Sequence, residues 1–399
     1  MKKGLMIIFW LIGLQVVGQN QSSELYCNAN VEVGAERTST YLDNLNGLKV
    51  GLVGNQSSLV NEVHLVDTLL SLNIDIVKIF SPEHGFRGKA DAGEKVNSGQ
   101  DSKTGLPIIS LYGNNKKPSS EQMDGIDIMI FDIQDVGARF YTYISTLHYV
   151  MEACSEKGIK LIVLDRPNPN GHYVDGPVLD LKYKSFVGMH PIPVVHGLSI
   201  GEYAKMINGE KWLGEEKVCD LLVIPCEGWD HTKFYRLPIK PSPNLPNMLS
   251  IYLYPSLCFF EGTVVSIGRG TKTPFQVIGH PDYSKGTYSF TPQPAAGAKN
   301  PKLNGANCQG LRFLEQDIKT IRNYRKLRIS WLIDFYRSLN IKDKYFLSNN
   351  FINLLAGTDK LKAQILKGCS VTQIRESWQD SLSKFRLKRK QYLLYKDFD

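Results

Sequence analysis

From about Leu48 to residue 225, the chain alternates short apolar runs with stretches of helical spacing. Near-continuous apolar runs are typical of strands buried on both faces of a sheet, and six occur here, at residues 49–54, 74–80, 107–112, 126–132, 160–165 and 218–225. Helices are predicted at residues 64–72, from near Pro118, at 141–157 and at 200–212. Strands that alternate with helices predict an α/β, Rossmann-like domain with a mostly parallel sheet.

Two local signals mark the ends of predicted helices. Ser199 and Glu202 have the spacing of a capping box, in which each side chain accepts a hydrogen bond from the main-chain N–H of the other residue. Gly158 occupies the position where a C-cap glycine is expected after the helix of residues 141–157.

A second module is predicted after the proline-rich run at residues 241–247. Residues 257–279 are rich in β-forming side chains, and helical patterns follow at residues 331–339, 351–355, 359–366 and 372–392. We therefore predict a Rossmann-like domain at residues 24–250 and a smaller α+β domain at residues 251–399.

Polar side chains follow five of the predicted strands. In chain order they are Asn55 and Gln56; Glu83 and His84; Tyr112 and Asn114; Asp132, Gln134, Asp135 and Arg139; and Asp165, Arg166 and Asn168. Ligands of open α/β sheets bind outside the carboxyl ends of the strands. The sequence thus predicts a functional rim at this edge of the sheet.

The loop after the second strand is the richest in groups able to do chemistry. Between Val77 and Glu94 it carries Glu83, His84, Arg87 and Asp91, separated by glycines that favour irregular backbone. Such a composition is typical of a catalytic loop and also of a charged surface loop. Its position after a strand of the predicted sheet favours the first interpretation.

The excess of carboxylates at the rim favours glycoside hydrolysis, in which one carboxyl group protonates the leaving oxygen and an ionised one acts as nucleophile or base. A serine esterase is less favoured, because no GxSxG motif is present. His84 with Asp91, or His190 with His196, could ligate a metal, but HExxH spacing is absent and we predict no metal. GxGxxG and P-loop motifs are also absent, so no nucleotide or other cofactor is predicted.

Aromatic and basic residues border the same loops. Sugar faces stack on aromatic rings, and the candidates here, which are equally typical of a core, are Phe86, Phe140, Tyr141, Tyr143 and Phe186. The arginines near the rim, or in the second module, can clamp a substrate carboxylate or pair with the acids; they are Arg87, Arg139, Arg166 and Arg269. Glu261 is a further acid in the second module.

The N-terminus predicts export. Lys2 and Lys3 precede an apolar run at residues 5–17 that is shorter than the ~20 residues of a membrane-spanning helix. Residues 1–18 are therefore interpreted as a signal peptide, with a retained anchor as the alternative, and the mature chain as periplasmic or extracellular without a membrane span. The formal net charge of +8 is mild and does not indicate nucleic-acid binding. Seven cysteines occur without CxxC spacing.

Five segments resemble the exo-β-N-acetylmuramidase NamZ family of glycoside hydrolases. They are SPEHGFRG (81–88), DIQDVGARFYTY (132–143), LDRPNPNG (164–171), DGPVLD (175–180) and FEGTVVSIGRGT (260–271). The resemblance implies a Rossmann-like catalytic domain and a smaller domain that completes the cleft. It also implies release of terminal β-1,4-linked N-acetylmuramic acid from the non-reducing ends of peptidoglycan fragments.

The resemblance implies Glu83 as the principal catalytic carboxylate, in the acid/base role. Its partner is open: Asp132, Asp135 and Asp165 are candidates for a second carboxylate or for contacts to sugar hydroxyls, or the substrate's acetamido group acts as nucleophile. Further substrate contacts are predicted at Asn55, Gln56, His84, Arg87, Gln134, Asp135, Arg139, Arg166, Asn168, Glu261 and Arg269. The alternatives are a non-catalytic cell-wall sugar-binding protein and a metal-dependent peptidoglycan esterase or amidase.

Overall fold

A computed structural model of the chain describes residues 30–83, 85–87, 98–339 and 341–399. Its strands are β1 (Lys49–Gly54), β2 (Leu59–Val60), β3 (Val63–His64), β4 (Asp75–Ser81), β5 (Gly99–Gln100), β6 (Pro107–Ser110), β7 (Ile128–Asp132), β8 (Lys160–Leu164), β9 (Leu221–Ile224), β10 (Val277–His280), β11 (Tyr288–Phe290) and β12 (Cys308–Arg312). Its α-helices are α1 (Leu65–Ser71), α2 (Tyr143–Lys157), α3 (Ile200–Gly209), α4 (Met248–Leu257), α5 (Ile318–Asn323), α6 (Ile329–Ser338), α7 (Phe351–Ala356), α8 (Lys360–Leu366), α9 (Val371–Glu376) and α10 (Gln379–Arg389).

A seven-stranded sheet, in the order β5-β6-β4-β1-β7-β8-β9, organises the described N-terminal part. Its strand pairs are parallel except for the edge pair β5–β6, which is antiparallel. All five residues of β7 are buried, as expected for a central strand covered on both faces. This sheet, with a smaller C-terminal part, confirms the predicted α/β class with a Rossmann-like, mostly parallel sheet.

Both of the predicted helix-end signals are confirmed. Ser199 Oγ accepts from Glu202 N at 3.1 Å, and Glu202 Oε2 accepts from Ser199 N at 2.8 Å, at the start of α3. Gly158 ends α2 in the left-handed region at φ 66°. The helix predicted from near Pro118 is wrong, because the chain there forms only the short 3₁₀ helix Glu121–Met123.

The C-terminal part combines a three-stranded antiparallel sheet, β10-β12-β11, with helices α5 to α10. The single helix predicted over residues 372–392 is wrong, since α9 ends at Glu376 and α10 begins at Gln379. The predicted domain boundary after residue 250 lies within the fully buried helix α4 and stays a prediction.

Two sequence predictions concern the ends and the cysteines. Residues 1–18 lie outside the described residues, and none of the described helices combines the length and apolar character that crossing a membrane requires. The described cysteines, at positions 154, 219, 226, 258, 308 and 369, are free.

Candidate active site

A cleft of about 750 Å³ opens between the rim of the large sheet and the C-terminal part. The rim contributes Glu83, Tyr112, residues 140–143, Phe186 and Val187. The later part of the chain contributes Tyr254, Cys258, Glu261, residues 265–267, Arg269, Phe275, residues 297–302, Phe351 and Leu355. Sequence segments from both parts of the chain are therefore needed to form this cleft.

Glu83 lies in the cleft two residues beyond the end of β4 and is half-buried. Its carboxylate is hydrogen-bonded to the hydroxyl of Tyr112, the residue two positions beyond the end of β6. Burial, then the charge of Glu83 and this hydrogen bond, raise the pKa of Tyr112 to about 12. Tyr112 thus stays protonated and donates to Glu83 at neutral pH.

Glu261 supplies a second carboxylate to the cleft, from the C-terminal part of the chain. It lies in a 3₁₀ helix, Cys258–Gly262, that continues from α4. The helix ends at Gly262, where a Cβ atom would lie 2.6 Å from the main-chain nitrogen of Ile352 in α7. Only glycine permits this close approach, which fixes the position of Glu261 against the C-terminal helices.

Two cations hold Glu261 in its ionised form. Arg269 Nε donates to Glu261 Oε1 at 2.6 Å, and the two side chains are 29% and 22% exposed. Burial raises the pKa of Glu261, but the charges of Arg269 and Lys302 and the Arg269 hydrogen bond outweigh burial and place it below the ordinary value. Lys302 Nζ itself donates to the main-chain oxygens of Phe260 at 3.0 Å and of Thr263.

A cluster of aromatic rings lines the same cleft. Tyr254 makes edge-to-face contacts with Phe140 and Tyr141, with centroids 5.4 and 5.8 Å apart, and packs against Phe275 at 5.1 Å. Of the predicted aromatics, Phe140, Tyr141, Tyr143 and Phe186 line the cleft. Phe86 instead packs edge-on against His64 at 4.5 Å, outside the cleft.

Asp132 does not line the cleft. Its carboxylate is fully buried and accepts two hydrogen bonds from Arg166, from Nε at 2.5 Å and from Nη2 at 2.9 Å. Arg166 Nη2 also donates to Leu59 O at 2.8 Å. This bidentate pair joins the ends of β7 and β8 and favours a structural role for both residues.

Asp165 is likewise buried away from the cleft, under the C-terminal tail. It accepts from Ser199 Oγ at 2.6 Å, from Gly201 N at 2.8 Å and from the hydroxyl of Tyr395. Burial raises its pKa to about 6, although these hydrogen bonds oppose the shift. The catalytic roles predicted for Asp132 and Asp165 remain untested, and both locations favour structural roles.

Asp135 and Arg139 are buried behind the rim. Asp135 Oδ2 accepts from Gly137 N at 2.6 Å, and burial raises the pKa of this carboxyl to about 7. Arg139 donates to the main-chain oxygens of Pro177, Ile192 and Leu355 at 2.7–2.9 Å, and burial lowers its pKa to about 9. Arg139 thus ties the rim to α7.

Three amide side chains that were predicted to contact substrate instead form hydrogen bonds within the protein. Asn55 Oδ1 accepts from Ser57 N at 2.9 Å, and Asn168 Nδ2 donates to Leu198 O at 2.8 Å. The Gln134 amide donates to the main-chain oxygens of Asp135 and Pro167, both at 2.8 Å.

Gln56 and Arg87 also have partners outside the cleft. The Gln56 amide donates to Pro241 O at 3.0 Å and so holds the proline-rich run beside the rim. Arg87 forms a bidentate pair with Asp101, with both distances 2.7 Å. His84, Asp91 and Glu94 lie outside the described residues.

Family models match nearly the whole described chain. The model for the N-terminal part of exo-β-N-acetylmuramidase NamZ matches residues 50–249, and the model for its C-terminal part matches residues 252–395. The chain belongs to the NamZ family. This result confirms the resemblance carried by the five sequence segments.

Individual relatives agree with the family models. The chain is 39% identical over 380 residues to the peptidoglycan β-N-acetylmuramidase NamZ of Bacillus subtilis, and the match covers 89% of each protein. Two crystal structures of DUF1343 family proteins from Bacteroides fragilis are similar, with TM-scores of 0.84 and 0.78 at 48% and 29% identity. Each match covers 92% of this chain and 99% of the other.

Several residues of this family member's cleft were missed by the sequence reasoning. Tyr254 and Phe275 resemble core aromatics in the sequence, and Lys302 lies in a loop with no motif. The loop of residues 297–302, which contains Lys302, has no feature in the sequence beyond its turn-forming residues. Within the described part of the chain, no group of three or more His, Cys, Asp or Glu is arranged to hold a metal ion.

Proposed function

We propose that this NamZ-family chain is an exo-acting glycoside hydrolase that releases terminal β-1,4-linked N-acetylmuramic acid from the non-reducing ends of peptidoglycan fragments. The relative from Bacillus subtilis is a peptidoglycan β-N-acetylmuramidase. The observation that carries the proposal is the cleft itself, which is lined both by Glu83 from the sheet rim and by Glu261 from the C-terminal part. A glycosidase needs two such groups in different protonation states.

Glu83 is proposed as the general acid. It is half-buried in the cleft, where a glycosidic oxygen can reach it, and a hydrogen bond from the Tyr112 hydroxyl orients its carboxylate. Protonation of the leaving oxygen by Glu83 breaks the bond to the anomeric carbon. The same carboxylate then accepts a proton from the attacking water.

Glu261 is proposed as the ionised partner, in place of Asp132 or Asp165. Arg269 and Lys302 keep its pKa low, so it carries the negative charge that stabilises an oxocarbenium-like transition state. The acetamido group of the substrate remains an alternative nucleophile, and Glu261 then orients that group by accepting its N–H. The aromatic cluster at Phe140 and Tyr254 fits the apolar face of a sugar ring.

The site of action is proposed from the sequence. Residues 1–18 have the basic head and short apolar run of a signal peptide, which would place the mature protein in the periplasm or outside the cell. Peptidoglycan lies in the same location, so export fits the proposed substrate. Comparison of the mature N-terminus with the encoded one by mass spectrometry tests this proposal.

The experiment for the activity uses a chromogenic aryl β-N-acetylmuraminide and the Glu83→Gln variant. We expect kcat to fall by about 10²–10⁴-fold, because general acid catalysis contributes about that much. Glu215→Gln is the matched control, since the Glu215 side chain is 87% exposed and outside the cleft. Full activity of Glu83→Gln would move the chemistry elsewhere.

The same assay separates the alternative functions. Saturable binding of N-acetylmuramic acid without turnover by the unmodified protein would favour a sugar-binding protein. Release of a peptide or acyl group that stops on chelation would favour a metal-dependent amidase or esterase. Glycosidic release that survives chelation supports the muramidase.

A further inference from the structure

Four arginines were candidates for binding a substrate anion, and the structure separates them. Arg87, Arg139 and Arg166 are engaged with Asp101, with three main-chain oxygens and with Asp132, respectively, away from the cleft. Arg269 alone of these four lines the cleft. We propose that Arg269 is the carboxylate-binding residue that makes the site selective for the lactyl group of N-acetylmuramic acid, an inference that rests on the proposed function.

The geometry of Arg269 leaves its terminal nitrogens available. Among the described residues, Arg269 donates one hydrogen bond, from Nε to Glu261 Oε1 at 2.6 Å. Its two Nη atoms donate no hydrogen bond to these residues. The side chain is 29% exposed, and its guanidinium lies 5.3 Å from the centroid of the Phe275 ring. Glu261 and Phe275 therefore hold the planar fork in place while the Nη edge remains open for a bidentate carboxylate.

The local charges also leave room for an anion. Arg269 and Lys302 provide two positive charges beside the single negative charge of Glu261. A bound carboxylate would bring this group of charges to neutrality. Lys302 is not suited to bind the ligand itself, because its three Nζ donors already face the main-chain oxygens of Phe260, Glu261 and Thr263.

The chemistry of the sugar matches this arrangement. N-acetylmuramic acid carries its acetamido group on C2 and its lactyl ether on the adjacent C3. Glu261 and Arg269 are adjacent in the cleft, so Glu261 can face the acetamido N–H while Arg269 pairs with the lactyl carboxylate. N-acetylglucosamine lacks the lactyl group and would leave the Arg269 fork unpaired.

The test compares three aryl β-glycosides: the N-acetylmuraminide, its lactyl amide, which has nearly the same shape without the charge, and the N-acetylglucosaminide. For Arg269→Met we expect kcat/KM on the muraminide to fall by about 10- to 100-fold, as for loss of a charge-assisted bidentate contact, mainly through KM. The values for the two neutral substrates should fall together and by less, through the changed surroundings of Glu261 alone, so the ratio of kcat/KM on the muraminide to kcat/KM on its amide should also fall. Arg269→Lys should keep part of the preference, because it retains the charge but loses the fork.

The ratio between substrates separates specificity from catalysis. Removing Arg269 also changes the surroundings of Glu261, and that effect lowers turnover of all three substrates together. An equal loss on all three therefore overturns the inference. Collapse of the preference in Lys299→Met but not in Arg269→Met would also overturn it, since Lys299 lines the same cleft.

A binding measurement keeps the two proposals distinguishable. Calorimetric titration with free N-acetylmuramic acid and N-acetylglucosamine measures the preference even where turnover is undetectable. If Arg269→Met still prefers N-acetylmuramic acid, the role of Arg269 is refuted but the muramidase activity is not. If the unmodified protein shows no turnover, only the muramidase activity is refuted. Arg312→Met is the matched control, because Arg312 also lies over an aromatic ring, Tyr288 at 5.0 Å, and should leave both readouts unchanged.

Discussion

The Asp132→Asn variant tests whether the buried acid of β7 is structural or catalytic. In the native protein the carboxylate is fully buried and receives two hydrogen bonds from Arg166, whose side chain is 2% exposed. Asparagine has nearly the same shape but no charge and only one acceptor oxygen. The change therefore leaves the Arg166 guanidinium buried without a counter-charge.

The expected cost follows from this burial. Removal of one member of a buried ion pair typically lowers the free energy of unfolding by about 3–5 kcal/mol, because the remaining charge stays desolvated. Arg166 keeps its hydrogen bond to Leu59 O, which places the expected value toward the lower end of that range. The double variant Asp132→Asn with Arg166→Met should recover part of the loss, since no isolated charge remains.

Urea unfolding measures the stability, and kcat on the aryl muraminide is measured on the folded protein at low temperature. We expect a large drop in the unfolding midpoint with kcat reduced by less than about tenfold. Asp75→Asn is the control, since Asp75 lies at the exposed start of β4. The structural role is refuted if Asp132→Asn keeps native stability but loses as much kcat as Glu83→Gln does. Asp132 would then be catalytic.

Two further variants probe buried carboxylates outside the cleft. The folded-state pKa of Asp135, about 7, lies above the unfolded value of about 3.8, so its contribution to stability is present at low pH and lost as the pH rises through 7. Asp135→Asn should therefore gain stability relative to the native protein as the pH rises from 4 to 7, by up to about 4 kcal/mol. Urea unfolding measures the difference in stability between the two proteins, and an equal difference at pH 5 and pH 8 would contradict this prediction. Tyr395→Phe removes the donor to Asp165 and the acceptor for Cys226 N, and should cost about 2 kcal/mol in urea unfolding with kcat unchanged; an unchanged midpoint would show that the tail is not anchored there.

The sequence predicted the strands better than the short helices. Runs such as residues 126–132 are apolar at nearly every position, and only a strand covered on both faces buries them all. The segment after Pro118 has cap-forming residues but few apolar ones to bury, so it forms a single 3₁₀ turn. The break between α9 and α10 at Ser377 and Trp378 carries no glycine or proline, and the sequence offered no signal for it.

The sequence predicted some residues of the candidate site and misplaced others. That ligands bind at the carboxyl ends of the strands tells which end of each strand matters, but not which strands are neighbours in the sheet. Asp132 and Arg166 follow strands that the sheet places side by side, so the two charges meet and neutralise each other. Glu83 follows β4, and the adjacent strand β6 brings the hydroxyl of Tyr112 to its carboxylate. Strand order therefore decides which groups each of these acids meets, and the sequence alone did not provide that order.

Accessibility to substrate, more than the number of acids, distinguishes the two carboxylates of the cleft. A buried carboxylate such as Asp165 requires hydrogen bonds from its surroundings, and those bonds occupy the oxygens that catalysis would use. Glu83 and Glu261 both retain exposed surface in the cleft, with the Tyr112 hydroxyl beside Glu83 and the cations Arg269 and Lys302 beside Glu261. The cations beside Glu261 hold the pKa of this carboxyl below its usual value, and the smaller C-terminal domain is needed to bring it to the cleft.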